Sequence, residues 1–142
     1  MADGTARVFV YGTLMRGARN AALLDGAALV AADATTAEGR FVMRQFASSS
    51  SPGRQTPGVL AGGGGFVRGE IYAVDEAGLA ALDRLEQNGV RYRREWAPMS
   101  DGGHAWIYLL IAGDAPSDRQ DRIGHDPATG VFWWERAEPA TD

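Results

Sequence analysis

The sequence of 142 residues contains no cysteine. It also contains no lysine, because all 14 residues in the lysine and arginine count are arginine. Without cysteine, the chain can form no disulfide, no zinc–thiolate site and no cysteine nucleophile. Without lysine, it can form no Schiff base, no Walker-type phosphate site and no Ser–Lys dyad. These two absences exclude several common forms of covalent catalysis.

Histidine and positive charge are also scarce. The two histidines, His104 and His125, are too few for a three-histidine metal site, and neither has a carboxylate at a spacing that indicates a metal. We therefore expect no metal and no cofactor. The formal net charge of -4 argues against nucleic acid or an anionic membrane as the main partner.

The chain has no long apolar run, since its longest, near residues 105–112, is too short to span a bilayer. Its N-terminus lacks the basic and apolar regions of a signal peptide. A length of 142 residues with 45% hydrophobic content predicts one globular domain over residues 1–142. We expect a soluble, cytoplasmic protein whose partner is a small molecule.

The hydrophobic pattern predicts many strands and few helices. A helix is expected over residues 76–86, with Asp75 as its N-cap and a stop at Gly89. A second, short helix is expected to begin within residues 19–24. Strands are expected near residues 7–11, 28–36, 39–46, 66–75, 91–98, 104–111 and 131–136. This pattern predicts an α+β domain with a curved or closed sheet.

Two segments do not fit this pattern of strands and helices. Residues 48–65, rich in serine, glycine and proline, predict a mobile loop that interrupts the domain. The polar tail from residue 113 matches no pattern until its end, where Trp133 and Trp134 occur. These tryptophans have two interpretations. They pack a terminal strand onto the core or form a dimer contact, or else they line a pocket.

The predicted helix carries a carboxylate on its apolar side. Leu79, Leu82 and Leu85 form an apolar stripe at helical spacing, and Glu86 falls inside it, whereas Asp83 falls outside. A carboxylate on a core-facing stripe loses hydration, which raises its pKa and makes it a candidate general acid or base. The alternative is that a glutamate at the end of a helix turns out to solvent.

The stretch "RVFVYGTLMRG", residues 7–17, stops a strand abruptly at Gly12. A glycine in that position often allows a close approach of backbone. The glycine spacing matches neither GxGxxG nor a P-loop, but successive N–H groups after a glycine suit a small anion such as a carboxylate. An ordinary turn is the alternative. If the loop binds a ligand, Gly12→Val is expected to abolish binding and leave the fold intact.

Several of these stretches together resemble the γ-glutamylcyclotransferase-like family, which includes γ-glutamylamine cyclotransferases and AIG2-like plant proteins. The resemblance rests on four stretches in the family's order: "VYGTLMRG" (10–17), "TPGV" (56–59), "VRGEIYAVD" (67–75) and "LDRLE" with "YRR" (82–86, 92–94). It implies a small mixed β-barrel with short flanking helices. It also implies that a γ-glutamyl amine or peptide is cleaved by its own α-amine, releasing 5-oxoproline and a free amine.

The resemblance also implies roles for individual residues. Glu86 would be the catalytic acid–base. The substrate's glutamyl part would be held, chiefly by backbone groups, by the loop residues Tyr11, Gly12, Thr13 and Leu14. Tyr92, a further substrate-binding residue, and Arg94 would support the pocket wall. Three other readings remain: a glutathione-specific enzyme, a binding module without turnover, and an interaction protein that uses the long loop and the tail. The leaving amine and the formation of a homodimer are left open.

Overall fold

The computed structural model describes residues 5–12, 14–15, 24, 26–47, 55–112 and 116–135. This part of the chain contains one helix, α1 (Glu76–Glu86), and nine strands. The strands are β1 (Ala6–Val10), β2 (Ala28–Thr35), β3 (Phe41–Ala47), β4 (Gln55–Ala61), β5 (Phe66–Val74), β6 (Tyr92–Pro98), β7 (His104–Leu110), β8 (Ile123–Asp126) and β9 (Val131–Trp134).

Seven of the strands form one mixed sheet. Its order is β6-β7-β1-β5-β9-β8, and β2 pairs with β5 beside this path. The β1–β7 and β5–β9 pairs are parallel, while the other pairs are antiparallel. The sheet curls into a half-barrel that carries α1, so the predicted α+β fold with a mixed, curved sheet is confirmed.

The core lies against the central strand β1. Val8, Phe9 and Val10 are all buried, as expected for an apolar run without polar alternation in the middle of a sheet. Helix α1 contributes Leu82, which is 1% exposed, and β7 contributes Ile107. Because both faces of β1 are buried, the residue that follows the strand, Tyr11, lies at a fixed edge of the core.

Helix α1 has the predicted bounds. It begins after Asp75, whose Oδ1 accepts a hydrogen bond from the Gly78 N–H at 2.7 Å, as an N-cap should. It ends at Gln87, which takes a left-handed φ of 52°. The predicted stop at Gly89 is wrong by two residues, because Gly89, with a φ of 93°, belongs to the turn that follows.

The predicted apolar stripe of α1 is wrong at one edge. Leu85 is 39% exposed, whereas Asp83 lies on the inner side, where its carboxylate accepts a hydrogen bond from the Tyr108 hydroxyl. The helix is therefore rotated from the orientation that the leucines alone predict. A polar contact with β7 and the burial of Leu82 together set this rotation.

Part of the predicted mobile loop over 48–65 is regular strand, so that prediction is wrong for residues 55–61. Strands β3 and β4 pair without a break from Phe41–Ala61 to Ala47–Gln55. Val59 is fully buried. The composition of this stretch predicts mobility. Packing against the apolar side chains of β3 holds it as a strand instead. Residues 48–54 of the predicted loop lie outside the described residues.

The segment after residue 115 is tied to the β3–β4 hairpin by a buried glutamine. The Gln45 side chain is fully buried, and its Oε1 accepts a hydrogen bond from the Arg122 N–H at 2.9 Å. Its backbone N–H and carbonyl bond the Gln120 side chain, each at 2.9 Å. Each hydrogen bond satisfies a buried polar group, which would cost free energy if it had no partner.

The predicted terminal strand is confirmed as β9, which pairs with β5 and with β8. Trp134 is 5% exposed and belongs to the core, as the packing interpretation proposed. Trp133 lies under the Arg68 guanidinium, 4.5 Å from the ring centroid, and donates its Nε1–H to Glu135 at 2.6 Å.

The remaining expectations concern features beyond these contacts. The short helix expected from residue 19 falls almost wholly outside the described residues. Within the described part of the chain, no helix has the length and apolar character needed to cross a membrane. The cytoplasmic location stays a prediction, and the formation of a homodimer stays open.

Candidate active site

Glu86 occupies the last turn of α1, where its side chain is half-buried. Burial raises the pKa of this carboxyl from 4.5 to about 7, although the positive charge of Arg91 opposes the rise. The alternative, in which the Glu86 side chain points into solvent, is therefore not the arrangement in the structure. Its proton can be gained or lost near neutral pH, which suits a general acid or base.

Tyr11 lies beside Glu86 with its ring buried. Its hydroxyl donates to the Tyr108 carbonyl oxygen at 2.7 Å and accepts from the Val59 N–H. Burial, and then the nearby Tyr92 and Glu86, raise the pKa of Tyr11 well above its ordinary value. Glu86 and Tyr92, which are distant from Tyr11 in the sequence, thus both lie within electrostatic range of Tyr11.

A second polar cluster fixes α1 beside this group. The Asp83 Oδ1 accepts hydrogen bonds from the Tyr108 hydroxyl at 2.6 Å and from the Arg94 Nε at 2.9 Å. The Arg94 guanidinium also lies 4.2 Å from the centroid of the Trp106 ring. Residues three apart share a helix face, so anchoring Asp83 to β6 and β7 also orients Glu86.

Asp83 and Tyr108 were missed as site residues by sequence reasoning. The available signal was the spacing of three between Asp83 and Glu86, which a helix converts into a shared face. Burial, and then the hydrogen bond to Asp83, raise the pKa of Tyr108 far above its ordinary value. The raised pKa values keep Tyr11 and Tyr108 protonated at neutral pH, whereas the pKa of Glu86, about 7, lets it gain or lose its proton there.

The three arginines after α1, at positions 91, 93 and 94, differ in environment. Arg94 is partly buried and paired with Asp83. Arg93 is largely solvated, because its side chain is 58% exposed and the Glu95 carboxylate with which it pairs is 3.8 Å away. Arg91 acts on the pKa of Glu86. The Arg94 contacts agree with a role in supporting the pocket wall.

The loop after β1 is a tight turn closed by a 3.0 Å hydrogen bond from the Met15 N–H to the Gly12 carbonyl. Leu14 is 5% exposed and its side chain joins the core, which leaves backbone groups as its means of contacting a ligand. Thr13 lies outside the described residues. The substrate-binding roles of Tyr11, Gly12, Leu14 and Tyr92 stay predictions.

Gly12 is approached by a protein side chain. A Cβ atom at this position would lie 2.5 Å from the Cγ of Pro57 in β4. The expectation that Gly12→Val would leave the fold intact is therefore wrong, because a larger side chain collides with a proline ring that cannot rotate away. Gly12 brings β4, and with it Val59, close to the Tyr11 hydroxyl.

The raised pKa of Glu86 predicts a pH-dependent stability. The folded state holds the Glu86 proton more tightly than the unfolded state, so this group's contribution is fully present below pH 4.5 and is lost as the pH rises through about 7. The free energy of unfolding, measured by urea titration, should decline over that window. Glu86→Gln should flatten the decline, and an unchanged slope in this variant would assign it to another group.

The described ranges contain no group of three or more His, Cys, Asp or Glu side chains arranged to hold a metal ion. The two histidines make ring contacts. His104 stacks on Trp96 at 5.8 Å, and His125 stacks on Phe132 at 4.3 Å, both measured between ring centroids. These contacts account for both side chains as packing elements.

A mixed sheet curled into a half-barrel that carries a helix defines a class of small α+β proteins. More narrowly, the chain belongs to the γ-glutamyl cyclotransferase, AIG2-like family, whose model matches residues 8–130. The resemblance inferred from the four sequence stretches is thereby confirmed.

Relatives and solved structures agree with this assignment. A protein from Vibrio cholerae serotype O1 is 38% identical over 102 residues, covering 72% of this chain and 79% of that protein. The γ-glutamylcyclotransferase family protein YtfP of Escherichia coli K12 is 33% identical over 103 residues, covering 72% of this chain and 80% of that protein.

Among solved structures, a mouse AIG2-like protein matches with a TM-score of 0.60 at 27% identity, covering 94% of this chain and 98% of that one. An uncharacterized protein from Pyrococcus horikoshii has the same TM-score, 0.60, at 22% identity, covering 81% of this chain and 86% of that one. The second match concerns the fold alone.

Proposed function

We propose that this protein is a γ-glutamyl cyclotransferase that acts on a γ-glutamyl amine or a γ-glutamyl peptide. The observation that carries the proposal is the half-buried Glu86, whose pKa is raised to about 7 and which lies in electrostatic range of Tyr11. The products are 5-oxoproline and a free amine. Family membership supports the reaction class, and the site's chemistry supports the role of Glu86.

The proposed reaction needs no nucleophile from the protein. Glu86 takes a proton from the substrate's α-ammonium, and the resulting amine nitrogen attacks the γ-carbonyl carbon to close a five-membered ring. The bond from that carbon to the leaving nitrogen then breaks as Glu86 returns the proton to that nitrogen. The ring nitrogen loses its second proton to the departing amine, which leaves as an ammonium ion. No water is consumed. A chain without cysteine and lysine can therefore perform the whole reaction.

The protein's contribution is proton transfer and positioning. General acid–base catalysis of this kind typically contributes about 10²–10⁴-fold. Because the amine and the γ-carbonyl already belong to one molecule, holding the substrate folded supplies several kcal/mol, up to the about 7–11 kcal/mol that orientation gives two separate reactants. The Met15 N–H closes the turn onto the Gly12 carbonyl, so the N–H groups of Gly12 and Leu14 are the candidates for stabilising the oxyanion next to Tyr11.

A product assay tests the proposal. The protein is incubated with γ-glutamyl alkylamines, γ-glutamyl anilides, γ-glutamyl dipeptides, glutathione and γ-glutamyl-ε-lysine, and 5-oxoproline is measured by mass spectrometry. We expect 5-oxoproline with a stoichiometric amount of free amine from at least one compound. Absence of product throughout would favour a binding module that keeps the fold without turnover.

The rate should depend on pH through Glu86. Because the base form begins the reaction, kcat/KM should fall about tenfold for each pH unit below the Glu86 pKa of about 7. Measurements from about pH 5 to about pH 9 would locate this limb. A limb near the ordinary glutamate value of 4.5 would mean that burial does not tune Glu86 in the working enzyme.

A further inference from the structure

A groove of 640 Å³ lies between the β3–β4 hairpin and the end of β7. This volume falls within the usual range for small-molecule sites, about 300–1,000 Å³. Arg44 is the one charged side chain among the described residues that line it, and no carboxylate lines it there. Its apolar walls come chiefly from Val42, Phe46, Leu60, Leu110, Ile111 and Pro116.

The groove adjoins the Glu86 site on the β6–β7 side. Leu110, in the groove wall, pairs directly with Tyr92 across the two antiparallel strands. Directly opposed residues place their side chains on the same face of a sheet, with Cβ atoms about 4.5–5.5 Å apart. Tyr92 in turn acts electrostatically on the Tyr11 hydroxyl, as Glu86 does. The wall of the groove therefore continues into the wall of the site.

Strand β4 makes the same connection on the other side. A Cβ at Gly58 would lie 3.1 Å from Leu110 Cδ2, so β4 and the end of β7 are in close contact there. Leu60, two residues later, shares this face of β4 and lines the groove. Pro57, one residue earlier, faces the opposite side of the strand and packs on Gly12. One strand thus contacts the loop beside Tyr11 with one face and lines the groove with the other.

We propose that this groove binds the leaving amine and selects an apolar one, either an alkyl- or arylamine or the amino group of an apolar amino acid. The proposal rests on the proposed function. An apolar lining stabilises hydrocarbon, and a groove whose charged side chain is an arginine disfavours a leaving group that carries a second positive charge. The groove residues would therefore determine specificity without taking part in proton transfer.

A substrate series tests this assignment with the full-length protein. The γ-glutamyl amides of methylamine, propylamine, hexylamine and 1,5-diaminopentane are compared by kcat/KM for 5-oxoproline formation. We expect a rise of up to about fourfold per added methylene along the uncharged series. The diamine derivative should fall at least about tenfold below the hexylamide, which resembles it in length. A flat series, or a preference for the diamine, would overturn the proposal.

A pair of variants locates the effect in the groove. Ile111 in its wall is 45% exposed, and Val30 on β2, which is outside the groove, is 48% exposed, so both tolerate a polar side chain. Ile111→Asn should reduce the preference for the hexylamide over the methylamide by about tenfold, whereas Val30→Asn should leave that ratio unchanged. Equal effects of the two variants on the ratio would overturn the assignment.

A variant of Arg44 distinguishes the two kinds of leaving group, a simple apolar amine and an apolar amino acid. If the natural leaving group is an amino acid, γ-glutamylleucine should exceed the hexylamide, and Arg44→Gln should remove that excess by deleting a partner for the carboxylate. If it is a simple amine, Arg44→Gln should leave the order of substrates unchanged. Either result agrees with an apolar leaving amine in the groove.

The two levels of the proposal fail differently. If no compound, including the methylamide, yields 5-oxoproline, the proposed function is wrong and the groove assignment fails with it. If every amide is turned over at a similar kcat/KM, the cyclotransferase stands and the groove assignment alone is wrong.

Discussion

Glu86→Gln is expected to lower 5-oxoproline formation by about 10²–10⁴-fold, the range typical of a lost general acid–base. Glutamine keeps the size of the side chain but can neither take the proton from the α-ammonium nor return one to the leaving amine. Because burial already favours the neutral form of Glu86, the amide should leave the fold stable. Steady-state kinetics beside a thermal unfolding curve would measure both effects.

Glu76→Gln is the matched control, because Glu76 is an exposed glutamate in the first turn of the same helix. It should retain the parent's kcat/KM. The residual activity of Glu86→Gln should also lose the acid limb of the pH profile, which a merely structural role would not produce. Full activity in a folded Glu86→Gln protein would remove Glu86 from the mechanism.

Gly12→Ala is expected to destabilise the protein by about 1–3 kcal/mol, which corresponds to a fall in Tm of about 3–10 °C. The added Cβ would lie 2.5 Å from the Pro57 Cγ, so either the loop or β4 must shift. The shift would displace the Tyr11 turn from β4, and kcat/KM should fall together with Tm. Thermal unfolding monitored by circular dichroism gives the first quantity.

Two further variants make this prediction specific. Gly64→Ala adds the same methyl group where no atom lies within 4 Å, and its Tm should be nearly unchanged. Gly12→Ala combined with Pro57→Ala removes the colliding ring atom, so the double variant should recover stability relative to Gly12→Ala in the Pro57→Ala background. Additive effects of the two substitutions would mean that the Gly12–Pro57 contact does not limit stability.

Much of the fold follows from local pattern. The apolar run of β1 predicts a buried strand, and Asp75 predicts where α1 begins, because each signal lies within a few residues of the element it specifies. Strand β4 does not follow from its own sequence. Its serine, glycine and proline neighbours suggest mobility, and the residues that make it a strand by pairing with it belong to β3, earlier in the chain.

The candidate site divides in the same way. Glu86 can be singled out because it interrupts an apolar stripe, and the Tyr11–Gly12 loop because a strand ends there in glycine. Asp83 gave a misleading signal: on an isolated wheel it faces solvent, whereas in the fold Tyr108 and Arg94 draw it inward. A helical wheel contains no information about the polar groups that a neighbouring strand presents.

By itself the sequence determined the fold class, the family, the absence of cysteine and lysine chemistry, and the acidic residue proposed to act. The tertiary structure decided the rest: that the pKa of Glu86 rises to about 7, that Glu86 and Tyr92 both lie in the electrostatic range of Tyr11, and that a groove adjoins them. The physical reason is that residue types and spacings are local properties of a chain. Desolvation, close approach and shared walls arise only when strands distant in sequence pack together.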